Sequence, residues 1–125
     1  GHVILTSGET QETDIVASEG RIDAIGVSPS KTVKRIDAAG CMVLPGIVDL
    51  HGDAFERQIM PRPGVTFPLE LAFLDTDRQL VANGITTAFH GITYSWEPGL
   101  RGRETVIKVL KALRKVSDGL GAANF

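Results

Sequence analysis

The chain has 125 residues, enough for one ordinary domain with a core. Its 13 Lys and Arg against 15 Asp and Glu leave a net charge of −2 with the cations dispersed, which excludes the basic stripe of a nucleic-acid-binding surface. No apolar run approaches the roughly 20 residues of a membrane span, the start GHVILTSGET lacks the charged and apolar regions of a signal peptide, and the single Cys41 can form neither an internal disulfide nor half of a cysteine-pair zinc site, so the expectation is a cytoplasmic protein with Cys41 as a bland buried or half-buried thiol.

In chain order, residues 3 to 44 read as β. Val3 to Thr6 is a short apolar strand ended by Ser7-Gly8, and Thr13 to Ala17 is a second. Arg21 to Gly26 alternates polar and apolar residues, and Ser18-Glu19-Gly20-Arg21 between the two runs predicts a hairpin turn with glycine at a positive φ. A polar loop follows from Val27 to Lys34, then short β runs at Arg35 to Ala38 and Met42 to Leu44 around an Ala39-Gly40 turn. The expected product is a small antiparallel sheet over residues 1–45 with few large apolar side chains.

Pro45-Gly46 marks a boundary, because proline sets φ and withholds a donor while glycine lets the chain bend into a new layer. Ile47 to Leu50 predicts a strand. Asp53 to Phe67, with Pro61, Pro63, Arg57, Arg62 and Gly64, predicts a long loop, a kind of segment that is usually functional or disordered. The spacing then predicts a helix over 68–83 with Leu71, Leu74, Arg78 and Val81 on one stripe, Phe73 and Leu80 beside it, and Asn83-Gly84 as its stop. Ile85 to His90 is β-branched and strand-like, which completes a βαβ unit of a parallel sheet. After a second loop, Gly91 to Gly102, comes a helix from Glu104 to Ser117. Val106, Val109, Leu110, Leu113 and Val116 face inward, Lys108, Lys111, Arg114 and Lys115 face outward, and Gly119-x-Gly121 is the stop. Residues 122 to 125 look like the opening of a third strand.

The residues with chemical potential gather at one strand end. His51 and Asp53 follow Ile47 to Leu50 directly, and alternation along a strand would point both side chains, with Asp49, to one side. An imidazole nitrogen and a carboxylate oxygen suit a divalent metal, although on composition alone a histidine bonded to a neighbouring carboxylate is the commoner reading. His90 ends the other strand of the βαβ unit. Tyr94, Trp96 and Glu97 lie in the loop after it, and Asp75, Asp77 and Glu104 read as helix-surface charge. No GxxxxGK[ST] or GxGxxG run is present, so any phosphate binding falls to arginine and metal.

The run from Gly40 through Val43-Leu44-Pro45-Gly46-Ile47-Val48-Asp49 to His51 resembles the entry to the catalytic barrel of the amidohydrolase superfamily of metal-dependent hydrolases. The continuations HGDAFERQIMPRPGV (His51 to Val65) and TDRQLVANGITTAFHGITYSWEPG (Thr76 to Gly99) resemble its phosphonate-metabolism branch, which removes pyrophosphate from a ribose-methylphosphonate triphosphate. Most of the superfamily carries His-x-His at this point. The branch shows His-x-Asp, as this chain does.

The resemblance implies an α/β fold: a small antiparallel β domain (1–45) followed by the first βαβα units of an incomplete TIM-like (β/α)8 hydrolase barrel (46–125). A complete barrel takes roughly 250 residues. It implies one or two divalent ions (Zn, Mn or Fe) held in part by His51 and Asp53, with Asp49 as their support. It implies a small phosphonate or phosphate substrate contacted by Arg62, Arg57 and His90. The remaining ligands and the general base are expected beyond residue 125, so the chain alone should hold no complete catalytic apparatus. Assembly into a homo-oligomer stays open. Two alternatives are an amidohydrolase acting on cyclic amides and a non-catalytic domain that binds a partner through open sheet edges.

Overall fold

The computed structural model describes residues 1–28, 34–119 and 121–123. They form a mixed α/β structure with three small sheets, divided into two compact units, Gly1–Pro45 and Gly46–Phe125. No helix among the described residues is long and apolar enough to cross a membrane.

In the first unit, β1 (His2–Ile4) lies between β2 (Thr10–Glu12), antiparallel to it, and β5 (Met42–Val43), parallel to it. β3 (Ile15–Ser18) and β4 (Arg21–Ile25) make the expected hairpin. At its turn Glu19 and Gly20 have φ of 49° and 75°, the two positive values that a type I′ connection requires. Two expectations are corrected. The sheet that holds β1 is mixed, because Met42–Val43 runs alongside β1 in the same direction. Arg35 to Ala38 is not a strand: Asp37 turns the chain by accepting the Ala39 N–H at 2.9 Å, and Cys41 N–H bonds Ala38 O at 3.0 Å. Of the Val27 to Lys34 loop, residues 29–33 lie outside the described residues. Val3 is the buried hydrophobic side chain of this unit among the described residues, and Cys41 is exposed rather than buried, since layers this thin leave it no interior.

The second unit starts with β6 (Ile47–Gly52) and pairs it in parallel with β7 (Ile85–His90); α2 (Leu69–Ala82) packs on β7 and also on α1 (Ala54–Ile59) and α3 (Arg103–Ser117), while Ile47, Val48, Leu50 and Phe89 of the strands stay exposed. The strands approach closely at their start, where a Cβ on Gly46 would fall inside the Thr86 side chain. Asn83 and Gly84 stop α2 as expected: Gly84 has φ 78°, and its carbonyl accepts the Ile47 N–H at 3.0 Å, which hands the chain into the sheet. Val116 O accepts the Gly121 N–H at 2.8 Å and so closes α3 near the predicted stop.

The core joins Phe55 and Ile59 of α1, Ala72 and Phe73 of α2, and Val109, Ala112 and Val116 of α3. Phe73 and Val116 are fully buried, each stabilising by about 1.5–3 kcal/mol through apolar burial. The predicted loop over 53–67 therefore begins with a short helix, because Phe55 and Ile59, one turn apart, have a core to enter. The inward stripe of α2 is also corrected. Leu71 and Val81 are exposed, while Phe73, Thr76, Asp77 and Leu80 face inward. Two polar residues can hold that face because each is satisfied. Thr76 Oγ1 donates to Ala72 O at 2.8 Å, and the Asp77 carboxylate accepts the N–H groups of Ala122 (2.9 and 3.0 Å) and Ala123 (2.7 Å). Asp77 is thus a buried clamp and not surface charge. Ala122 and Ala123 lie in a bend held by it rather than in a strand, and Asn124 and Phe125 lie outside the described residues.

Replacing Asp77 by Asn removes the charge and one acceptor from this clamp. The expected result is a loss of about 1.5–3 kcal/mol of unfolding free energy in urea melts, with faster amide exchange at Ala122 and Ala123. Unchanged exchange at those amides would show that the carboxylate does not hold the segment.

Candidate metal and substrate site

Because β6 and β7 are parallel, their C-terminal ends coincide, and the candidate residues lie along that edge. The ladder pairs Asp49 with Ala88 and Gly52 with His90, so β6 has one residue more than β7 in this interval. This irregularity interrupts the alternation by which Asp49, His51 and Asp53 were expected to share a side. Asp53 has left the strand altogether: it is the N-cap of α1, with φ −122° and ψ 1°.

His51 is exposed, and its backbone is held by its own strand, since its N–H donates to Asp49 Oδ1 at 3.0 Å. Asp49 is half-buried. The support expected of it acts on the backbone of His51, a role that the i, i+2 spacing also allows through a side-chain to backbone turn. The ring of His51 lies over Gly91, the residue after β7.

His90 occupies a different environment. Its ring meets Phe55 and Phe73 edge-on, with centroids 5.2 and 5.8 Å away, while the two phenylalanines stack at 5.5 Å. Burial pushes the imidazole below its ordinary range, opposed by a backbone hydrogen bond with Gly52 and by the negative charge of Asp49. His90 is therefore biased toward the neutral form, able to donate from one ring nitrogen and accept at the other.

The arginines expected to contact substrate are placed separately. Arg57 is on the exposed side of α1, and Arg62 opens a tight turn in which Val65 N–H bonds Arg62 O at 3.1 Å with Gly64 at φ 77°. Neither forms an ion pair with another described residue. Tyr94 and Trp96 project into solvent. Their loop is tied back by Arg101, which binds Glu56 of α1 through Nε to Oε1 at 3.2 Å and a terminal nitrogen to Oε2 at 2.9 Å. Sequence reasoning passed over this pair because the partners stand 45 positions apart.

An exposed imidazole and an exposed carboxylate two positions apart, at His51 and Asp53, fit a divalent cation in donor chemistry, but not in number. Among the described residues no group of three His, Cys, Asp or Glu side chains is placed to hold a metal. Two donors fall short of the four that close a structural zinc site.

Three known proteins are similar to parts of this chain. The chain is 30% identical over 89 residues to alpha-D-ribose 1-methylphosphonate 5-triphosphate diphosphatase of Escherichia coli (strain K12), covering 71% of this chain and 24% of that enzyme. It is 33% identical over 112 residues to an allantoinase of Bacillus licheniformis, covering 90% of this chain and 23% of the enzyme. An adenine deaminase of Listeria monocytogenes is 36% identical over 81 residues, covering 65% of this chain and 12% of the enzyme. These similarities support the amidohydrolase superfamily without selecting a branch within it. The chain spans about a quarter of the length of the first two of these relatives. No family model and no solved structure matches it.

The shifted imidazole has a consequence for stability. With its folded pKa lowered, His90 resists a proton that the unfolded chain accepts, so stability is greatest above the unfolded value of about 6.5 and falls as pH drops below it. Urea melts from pH 7.5 to pH 5 are expected to show this loss, and His90→Asn should flatten that part of the profile. A wild-type stability that rises on acidification would contradict the burial effect.

Proposed function

We propose that this chain is the N-terminal portion of a metal-dependent hydrolase that releases pyrophosphate from a ribose 1-methylphosphonate 5-triphosphate. The observation that carries the reading is His51-x-Asp53 at the C-terminal end of a parallel strand, within a stretch similar to the Escherichia coli diphosphatase. The unit 46–125 would supply the first strands and helices of a (β/α)8 barrel, whose active sites lie at the C-terminal ends of the strands, and residues 1–45 part of the accompanying small β domain. His51 and Asp53 would hold a divalent ion, zinc, manganese or iron, as nitrogen and oxygen donors. Such an ion, when bound, makes water a competent nucleophile near neutral pH.

The chain's own residues would act around that centre. Asp49 holds the backbone of His51, limiting the motion of a ligand whose place matters. His90 stands at the same strand edge with both ring nitrogens buried beside Phe55 and Phe73, so a hydrogen bond from it to substrate would require that edge to open. A triphosphate spreads its charge over many oxygens, and Arg62 and Arg57 are the cations that would clamp it.

A second reading has its own support. The allantoinase similarity covers more of this chain than the diphosphatase similarity does, and hydrolysis of a cyclic amide in the same kind of site is the alternative. Assays of the full-length protein separate the two. Release of pyrophosphate from the phosphonate triphosphate supports the first, and turnover of cyclic amides alone supports the second.

His51→Ala in the full-length protein should abolish both bound metal, measured by elemental analysis, and turnover. Retention of both would remove His51 from the ligand set. Arg62→Ala should raise KM by roughly tenfold or more, the size of a lost charge-assisted hydrogen bond, with the melting temperature little changed. A loss of stability at constant KM would assign Arg62 to the fold and not to the substrate.

A further inference from the structure

We propose that Gly91 is a positioning residue: the space left by its missing side chain is the seat of the His51 imidazole. An ideal Cβ at position 91 would lie 2.9 Å from Cε1, 3.2 Å from Nε2 and 3.3 Å from Nδ1 of His51. The seat is therefore under the edge of the ring that carries both nitrogens, the edge a ligand uses. Any side chain there would push that edge away.

Glycine at this position is not a requirement of the backbone. Gly64, Gly84 and Gly99 of the same unit have positive φ, and Gly91 is not among the residues that do. What an added methyl group meets at Gly91 is the ring of His51.

The seat is rigid on both sides. Gly91 N–H donates to Gly52 O at 2.9 Å, and Ile92 N–H donates to His90 O at 2.9 Å, so the chain after β7 cannot easily withdraw. The backbone of His51 is held by Asp49 Oδ1 at 3.0 Å. With both backbones anchored, a larger residue at 91 is accommodated by rotation of the exposed His51 side chain. That rotation moves both nitrogens from the position in which they could serve a metal.

The functional meaning of the seat rests on the reading of His51 as a ligand, whereas the seat itself is a matter of packing, and the experiment separates the two. In the metal-free full-length protein with isotope-labelled histidine, Gly91→Ala is expected to move the ring resonances of His51 and leave those of His90 in place. Calorimetric titration with Zn(II) should show binding weakened about 10- to 100-fold, as when a residue that orients a ligand is lost. A folded Gly91→Ala protein with unmoved His51 resonances overturns the proposal.

If Gly91→Ala fails to fold, the double variant Gly91→Ala, His51→Ala decides. With the ring gone the methyl group has room, so folding should return, and a double variant that remains unfolded overturns the proposal. Failure of the ligand reading has a separate signature. Wild type and His51→Ala would then bind Zn(II) equally while Gly91→Ala still moves the His51 resonances, a pattern that supports the seat and rejects the ligand role.

Discussion

The packing of Phe55 against Phe73 and His90 is the contact on which the second unit depends. It joins the first helix, the second helix and the end of a strand through three rings whose centroids lie 5.2–5.8 Å apart. Because Phe55 comes two residues after Asp53, burying its ring also determines where the chain must turn on leaving β6. Placement of the candidate ligands and formation of the core are thus one event, and disturbing either disturbs the other.

This coupling explains the division of labour along the strand edge. His90 is drawn into the aromatic cluster and biased toward the neutral form, while His51, on the neighbouring strand, stays in solvent with its backbone tied to Asp49 and its ring over Gly91. Two histidines at the ends of adjacent parallel strands are in this way given opposite surroundings. Burial governs one, and local hydrogen bonding with steric room governs the other.

Asp77 shows the same economy within the fold. A carboxylate on the inward face of a helix is costly unless its oxygens are occupied. Here they receive N–H groups from Ala122 and Ala123, so the polar residue becomes the means by which the segment after α3 is fastened to α2. By contrast the exposed Lys115–Glu70 pair, at 2.9 Å, also joins α2 to α3 but contributes little, because water screens it.

The sequence by itself determined the succession of β6, α2, β7 and α3, the stop of α2 at Asn83-Gly84, the β3–β4 hairpin, and the placing of His51 and His90 at strand ends. These features depend on residues near one another in the chain: β-branched runs, glycines at positive φ, and apolar spacing. Only the tertiary structure decided the inward face of α2, the short helix that begins at Ala54, the burial of Asp77, the exposure of Cys41, the parallel pairing of β5 with β1, and the irregularity between Asp49 and Gly52 that breaks the expected alternation. The physical reason is common to them. Helical spacing offers α2 more than one apolar stripe, and which is chosen depends on partners as distant as Ala122. Strand alternation holds only while the ladder is regular, and its regularity is set by the neighbouring strand. The seat of His51 belongs to the same class: Gly91 is visible in the sequence as the residue after a strand, but the ring that needs its empty space lies 40 positions away.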